Sequence, residues 1–145
     1  MLELRNDDLA KFFLQDPISP EKYQEAKDTA RKAGLVDELH YNELVPSIKA
    51  AKRAGDLDAA AGLLLRALDA VEAESAAMGR DCVPAPWYYE HLAIVYRRLR
   101  EPEKEIAVLQ RYIAAFDGKA EHPFPHLVER LNKAQIRAKK AKEKK

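Results

Sequence analysis

The stretch 86-PWYYEHLAIVYRRLREPEKEIAVLQRYIAAF-116 decides the fold. Tyr89, Leu92, Ala93, Tyr96 and Leu99 recur at intervals of three and four, the spacing that lines up one face of an α-helix. Arg100-Glu101-Pro102 then breaks the pattern, and Pro102 suits the first turn of a new helix. Ile106, Leu109, Ile113 and Phe116 resume the helical spacing. Two amphipathic helices joined by so short a turn fold back on one another, so the stretch predicts an antiparallel helical hairpin.

A second hairpin stands upstream. Tyr41, Leu44, Ile48 and Ala51 form one helical stripe, and Lys49, Lys52 and Arg53 lie off it. Gly55-Asp56 interrupts, with Asp56 placed to cap the next helix over residues 56–78. Leu57, Ala60, Ala61, Leu64, Leu68 and Val71 supply its apolar face. An offset of 45 residues lays Gly55 on Arg100, Asp56 on Glu101 and Leu64 on Leu109. The prolines at 84 and 86 make residues 79–86 a loop between the hairpins.

Helical segments flank this pair. Ser19-Pro20-Glu21 reads as a capped helix start, Tyr23, Ala26, Ala30 and Ala33 as its packing face, and Gly34 as its stop. Leu127, Leu131, Ala134 and Ala138 mark a final helix after Pro123 and Pro125. Beyond Ala138 there is little to bury, so residues 139–145 are expected to fray as a basic tail. A short apolar segment from Leu2 to Leu14 could be capped by Asp7 or Asp8. No stretch alternates with a period of two, so strands are not expected. Residues 1–138 thus form a single all-helical domain.

The run Tyr89-x-x-Leu92-Ala93-x-x-Tyr96, followed by Leu99, the Glu101 turn and Ile106, resembles a tetratricopeptide repeat. Residues 41–74 resemble another, through Leu44, the Gly55-Asp56 turn, Ala60, Leu64 and Ala67. The resemblance covers roughly half the chain, over residues 41–116, and departs from the family at several points. Ala93 replaces the usual glycine, Glu105 stands where a small alanine is expected, and Arg100 stands at the turn glycine. The units are 45 residues apart rather than about 34. The resemblance implies an all-α fold: a short right-handed superhelix of stacked hairpins. The flanking helices would close the stack, because two units alone are marginal.

Composition narrows the function classes. The chain has 145 residues, 47% of them hydrophobic and 34% charged, which fits one globular domain. The formal net charge of +1 hides an asymmetry, since residues 130–145 carry eight Lys or Arg against one Glu. That end could attract nucleic acid, or could simply be a solvated helix end whose cations complement the dipole. One cysteine, Cys82, excludes an internal disulfide and makes a reducing, cytoplasmic setting the expectation. No apolar run approaches the roughly 20 residues a membrane span needs. Nothing resembles a phosphate loop, zincin sequence or nucleophile elbow, and the four histidines form no recognised metal set. No enzyme activity, cofactor or metal is expected.

In the family the resemblance points to, ligands rest on the surface lined by each hairpin's first helix. Carried over, that surface takes Asn42, Val45, Lys49, Lys52 and Arg53 from the first unit. From the second it takes Trp87, Glu90, His91, Ile94, Arg97 and Arg98. Periodicity separately places Lys49, Lys52, Arg53, Arg97 and Arg98 away from the packing stripes. Such cations attract carboxylates or phosphates. Trp87 and Tyr88 either offer an aromatic contact or seal the proline loop. The candidate ligand-binding residues are therefore Lys49, Lys52, Arg53, Trp87, His91, Ile94, Arg97 and Arg98, in a protein- or peptide-interaction module for an acidic partner. Two alternatives remain: a nucleic-acid accessory protein acting through residues 130–145, and a self-associating structural protein.

Overall fold

Caps and turns set the boundaries of each element. The computed structural model describes residues 19–79 and 82–143, so the expected helix over residues 2–14 lies outside the described residues. In chain order the elements are α1 (Pro20–Ala33), β1 (Leu35–Val36), β2 (Leu39–His40), a 3-10 turn (Tyr41–Leu44), α2 (Val45–Arg53), α3 (Leu57–Met78), α4 (Pro86–Arg98), α5 (Pro102–Ala114) and α6 (Pro125–Glu143). Ser19 caps α1 by accepting from the Lys22 amide at 3.1 Å, and Asp56 caps α3 by accepting from Ala59 at 3.2 Å. Proline begins α1, α4, α5 and α6, where its missing N–H costs no intrahelical bond. The last helix continues to Glu143, and residues 139–143 present their side chains to solvent.

The two turns that match at an offset of 45 residues share one geometry. After α2 the Gly55 amide bonds the Lys52 carbonyl (3.1 Å) and the Asp56 amide bonds Ala51 (2.9 Å). After α4 the Arg100 amide bonds Arg97 (3.0 Å) and the Glu101 amide bonds Tyr96 (2.9 Å). Both are Schellman closures, which need a left-handed residue just beyond the helix. Gly55 takes it at φ 75° and Arg100 at φ 58°. The repeat is therefore a property of the backbone, and Arg100 adopts the conformation that glycine usually fills.

The helices pack consecutively. Both α1 and α2 lie on α3, α3 on α4, α4 on α5, and α5 on α6. This is an all-α, repeat-like stack consistent with a helical solenoid. Ile48, Leu64, Leu68, Tyr89, Leu92, Leu109, Tyr112 and Leu127 are fully buried in one continuous core. Arg111 of α5 makes a bidentate pair with Glu72 of α3, at 2.7 Å from Nε and from Nη2. The Tyr89 hydroxyl of α4 donates to the same carboxylate at 2.6 Å, so one charged group joins three helices.

Glu105, where the resemblance calls for a small residue, is 2% exposed at the α5–α6 contact. Arg137 of α6 donates to both its oxygens, at 3.1 and 3.2 Å, and Arg130 stands 3.8 Å away. The departure replaces a close helix contact with a buried ion pair. A buried carboxylate is tolerated only when paired.

Two expectations need correction. A short antiparallel ladder exists, with Leu35 opposite His40 and Val36 opposite Leu39. Its tight turn holds Asp37 at φ 49° and Glu38 at φ 71°, the signs of a type I′ turn. Two residues per strand are too few to show alternation, and Asp-Glu lacks the usual glycine. On α1, only Ala30 is buried and Tyr23 is 55% exposed, so the expected packing face contracts to one residue. The approach beyond α1 is tight nonetheless: a Cβ on Gly34 would lie 2.8 Å from Glu74 Oε2 and 3.0 Å from His40 Nε2.

Gly55→Ala should destabilise the chain by about 1 kcal/mol, because a Cβ there meets nothing but the left-handed strain. Arg100→Gly should be neutral or stabilise by about 0.5 kcal/mol, relief of strain being partly offset by a freer unfolded chain. Urea unfolding of the two variants reads both signs, and equal losses would contradict the shared turn. Arg137→Met should cost about 2 kcal/mol or more by leaving Glu105 with its more distant partner. Glu105→Leu should cost less, since both arginines can then reach water.

Candidate functional site

Lys52 and His91 come from different helices and meet directly. Lys52, on the last turn of α2, places Nζ 2.6 Å from Nδ1 of His91 on α4. An ammonium has only donors, so this nitrogen of His91 accepts and carries no proton. The Trp87 ring lies against the imidazole, with centroids 4.1 Å apart and planes inclined by 31°. Trp87 also meets Tyr88 edge to face at 5.0 Å.

The environment is dominated by positive charge. Burial, then the neighbouring Lys52, hold His91 below its ordinary value, with Lys49 and Arg130 acting in the same direction and Glu90 against it. Burial, then Arg98, lower Lys52, again opposed by Glu90. His91 thus feels charges from α2 and α6, and Lys52 feels Arg98 of α4. Among the described residues, no carboxylate lies within 4.0 Å of the side-chain nitrogens of Lys49, Lys52, Arg97 or Arg98.

A groove of about 300 Å³ continues this surface between α4 and α6. Glu90 and Arg97 line one side, and His126, Glu129, Arg130, Lys133 and Arg137 the other. Some of this charge is internally balanced: Glu129 pairs with Lys133 at 3.0 Å, and Glu90 accepts from or pairs with His126 at 3.3 Å. The structure therefore brings Lys52, Trp87 and His91 into contact, leaves Lys49 and Arg98 acting on His91 and Lys52 respectively through their charge, and sets Arg97 in the adjoining groove. Ile94 is half-buried on α4, one turn beyond His91. Arg53 is exposed at the end of α2, with no hydrogen bond or ion pair to the others among the described residues.

Three neighbouring residues serve the fold instead. Asn42 accepts from the Tyr88 hydroxyl at 2.7 Å, so its carbonyl is engaged. Tyr88 itself is 3% exposed, and burial followed by the Glu74 charge pushes its hydroxyl up to about 12. It remains a neutral donor that anchors the proline loop side of α4. Val45 packs against the core. Of the two aromatics weighed together, Tyr88 is buried against Tyr41 and Asn42, and Trp87 is half-exposed.

Sequence reading missed the contribution of α6. Arg130, Lys133 and Arg137 lie at intervals of three and four, one position before the Leu131, Ala134, Ala138 stripe. That spacing is visible in the sequence, where the same residues also belong to a basic end. Among the described residues, no group of three or more His, Cys, Asp or Glu side chains is arranged to hold a metal ion. No described helix is long and apolar enough to cross a membrane.

No protein-family model matches this chain, and no curated protein or solved structure matches it.

The His91 environment has a pH signature. In the unfolded chain His91 takes up its proton near the ordinary value of about 6.5, while in the folded chain it does so only at lower pH. The unfolded state binds more protons in that window, so stability falls as pH drops through about 6.5. His91→Gln should remove that part of the slope. The difference between wild-type and variant urea midpoints across pH reads it; parallel curves would show that His91 titrates alike in both states.

Proposed function

We propose that this chain is a non-catalytic interaction module that holds an acidic protein segment on the surface shared by α2, α4 and α6. Its helix pairs form a short right-handed superhelix of the tetratricopeptide kind, capped by α1 and α6. The observation that carries this reading is that the fold presses Lys52 against His91 with Lys49, Arg98 and Arg130 nearby. Among the charges that act on Lys52 and His91, Glu90 is the one of opposite sign. Like charges held together cost stability, and an anion supplied by a partner offsets that cost. Trp87 adds an aromatic surface beside the cations, a combination frequent at binding hot spots. The eight candidate residues are proposed as the contact set, with Arg53 at its edge.

A second reading has one observation in its favour. Lys139, Lys140 and Lys142 project from α6 into solvent, as a phosphate-tracking surface requires. It weighs less because Arg130 and Arg137 of the same helix face Glu105.

A fluorescein-labelled hexaglutamate peptide tests both. Anisotropy titration should show binding that weakens with salt. Lys52→Glu with Arg98→Glu should weaken it at least about tenfold, a change of about 1.4 kcal/mol, while circular dichroism stays helical. Unchanged binding by the folded double variant rejects the acidic-segment surface. A single-stranded oligonucleotide that binds more tightly than the peptide, and loses binding when residues 139–145 are removed, favours the second reading instead.

A further inference from the structure

The Lys52–His91 contact is arranged as two hydrogen-bond donors in waiting. Lys52 Nζ donates to His91 Nδ1 at 2.6 Å, so one donor is spent on a neighbour that becomes a donor itself once protonated. Trp87 holds the imidazole plane by stacking at 4.1 Å. The charged groups that face His91 are Lys49 and Lys52 from α2, Glu90 from its own helix, and Arg130 from α6. Arg98, about two turns beyond His91 on α4, acts on Lys52. Glu90, the single carboxylate among them, is contacted by His126 at 3.3 Å on the groove side.

We infer that Lys52 and His91 form a proton-linked oxyanion seat, in which a carboxylate or phosphate-type group enters between Lys52 Nζ and His91 Nδ1 and His91 takes up one proton as it binds. The seat deepens the acidic-segment reading and rests on it for the source of the ligand. The exchange balances simply. The Lys52–His91 hydrogen bond breaks, a proton from bulk water goes to Nδ1, and Lys52 keeps its charge. The two N–H groups then donate to oxygens of the same anion. One bond from an ammonium to a neutral ring nitrogen is replaced by two bonds in which both partners are charged. The incoming negative charge also relieves the repulsion among Lys49, Lys52, Arg98 and Arg130. His91 protonates more readily with the anion in place than without it. Affinity therefore rises as pH falls through the bound-state value and levels off below the free-state value. Two donors on two helices suit a group with at least two oxygens, and disfavour halide ions.

Proton NMR of the full chain, following the His91 ring against pH, tests the seat. The probes are sodium sulfate, whose charge is constant between about pH 5 and 8, and the hexaglutamate peptide. Either probe should raise the His91 midpoint by about one unit, equivalent to about tenfold in affinity across the window. A shift with sulfate assigns a phosphate-type source, and a shift with the peptide alone assigns side-chain carboxylates. Lys52→Met should abolish the shift, and His91→Gln should make peptide affinity independent of pH; both variants keep good helix formers. A peptide that binds, and is weakened by Lys52→Glu with Arg98→Glu, yet leaves the His91 midpoint unmoved overturns the seat while leaving the surface. No midpoint shift with either probe overturns the seat outright.

Discussion

The helix α3 buries a broad face along its length, and its neighbours in the chain are arranged to cover that face. Ala60, Ala61, Leu64, Ala67, Leu68, Ala70, Val71 and Ser75 are all buried, a set too wide for one neighbouring helix. Helices α1, α2 and α4 share the task. Burial stabilises by roughly 25 cal/mol per Å² of apolar surface, so each missing cover would leave a large debt in water. The alanines among these residues let backbones approach closely, and closeness limits how much error a turn can carry. That explains why the exits from α2 and α4 use the same left-handed closure. A helix that leaves at another angle would not lie along its neighbour.

The cations of the chain divide by what faces them. Arg111 is held by Glu72 and Asp69, Arg66 by Asp37, and Lys104 by Glu101. These pairs join α5 to α3, α3 to the β1–β2 turn, and α5 to the residue that precedes it. Lys49, Lys52, Arg97 and Arg98 have no such partner within 4.0 Å among the described residues, and all belong to α2 or α4. Surface pairs add little to stability, so their absence alone means little. The informative feature is that Lys52 is pulled into contact with His91, although both lose solvation there. Local stability would be better served by an apolar pair.

Helix positions were legible in the sequence because periodicity reports burial directly. The stripes through Leu64 and Leu68 and through Leu92 and Tyr96 are the buried faces. Asp56 and Ser19 cap as their chemistry requires. The short ladder at Leu35–His40 was hidden, since two residues per strand carry no period. Tyr23 misled because spacing identifies a face without saying whether anything covers it. For the candidate surface, Lys52 and His91 could be assigned to exposed faces of two helices. Their meeting depends on how α2 and α4 are stacked, which no single-helix pattern encodes. The role of α6 was hidden for the same reason: Arg130 and Arg137 read as charge until Glu105 is seen buried beneath them.

Glu105 links the core to that surface. A small residue there would let α5 and α6 close on one another without any polar requirement. A buried carboxylate instead demands cations, and α6 supplies Arg137 at 3.1 Å and Arg130 at 3.8 Å. The pairing agrees with the rotation that the buried Leu127, Leu131 and Ala134 impose on α6. That rotation sets Arg130, Lys133 and Arg137 toward α4 rather than away from it, and so creates the groove beside Arg97. Arg137 is the closer partner and is committed to Glu105. Arg130 is held more loosely, and it is the one whose charge reaches His91. A buried carboxylate in the packing of two helices thus accompanies a cation whose charge reaches the contact between two others.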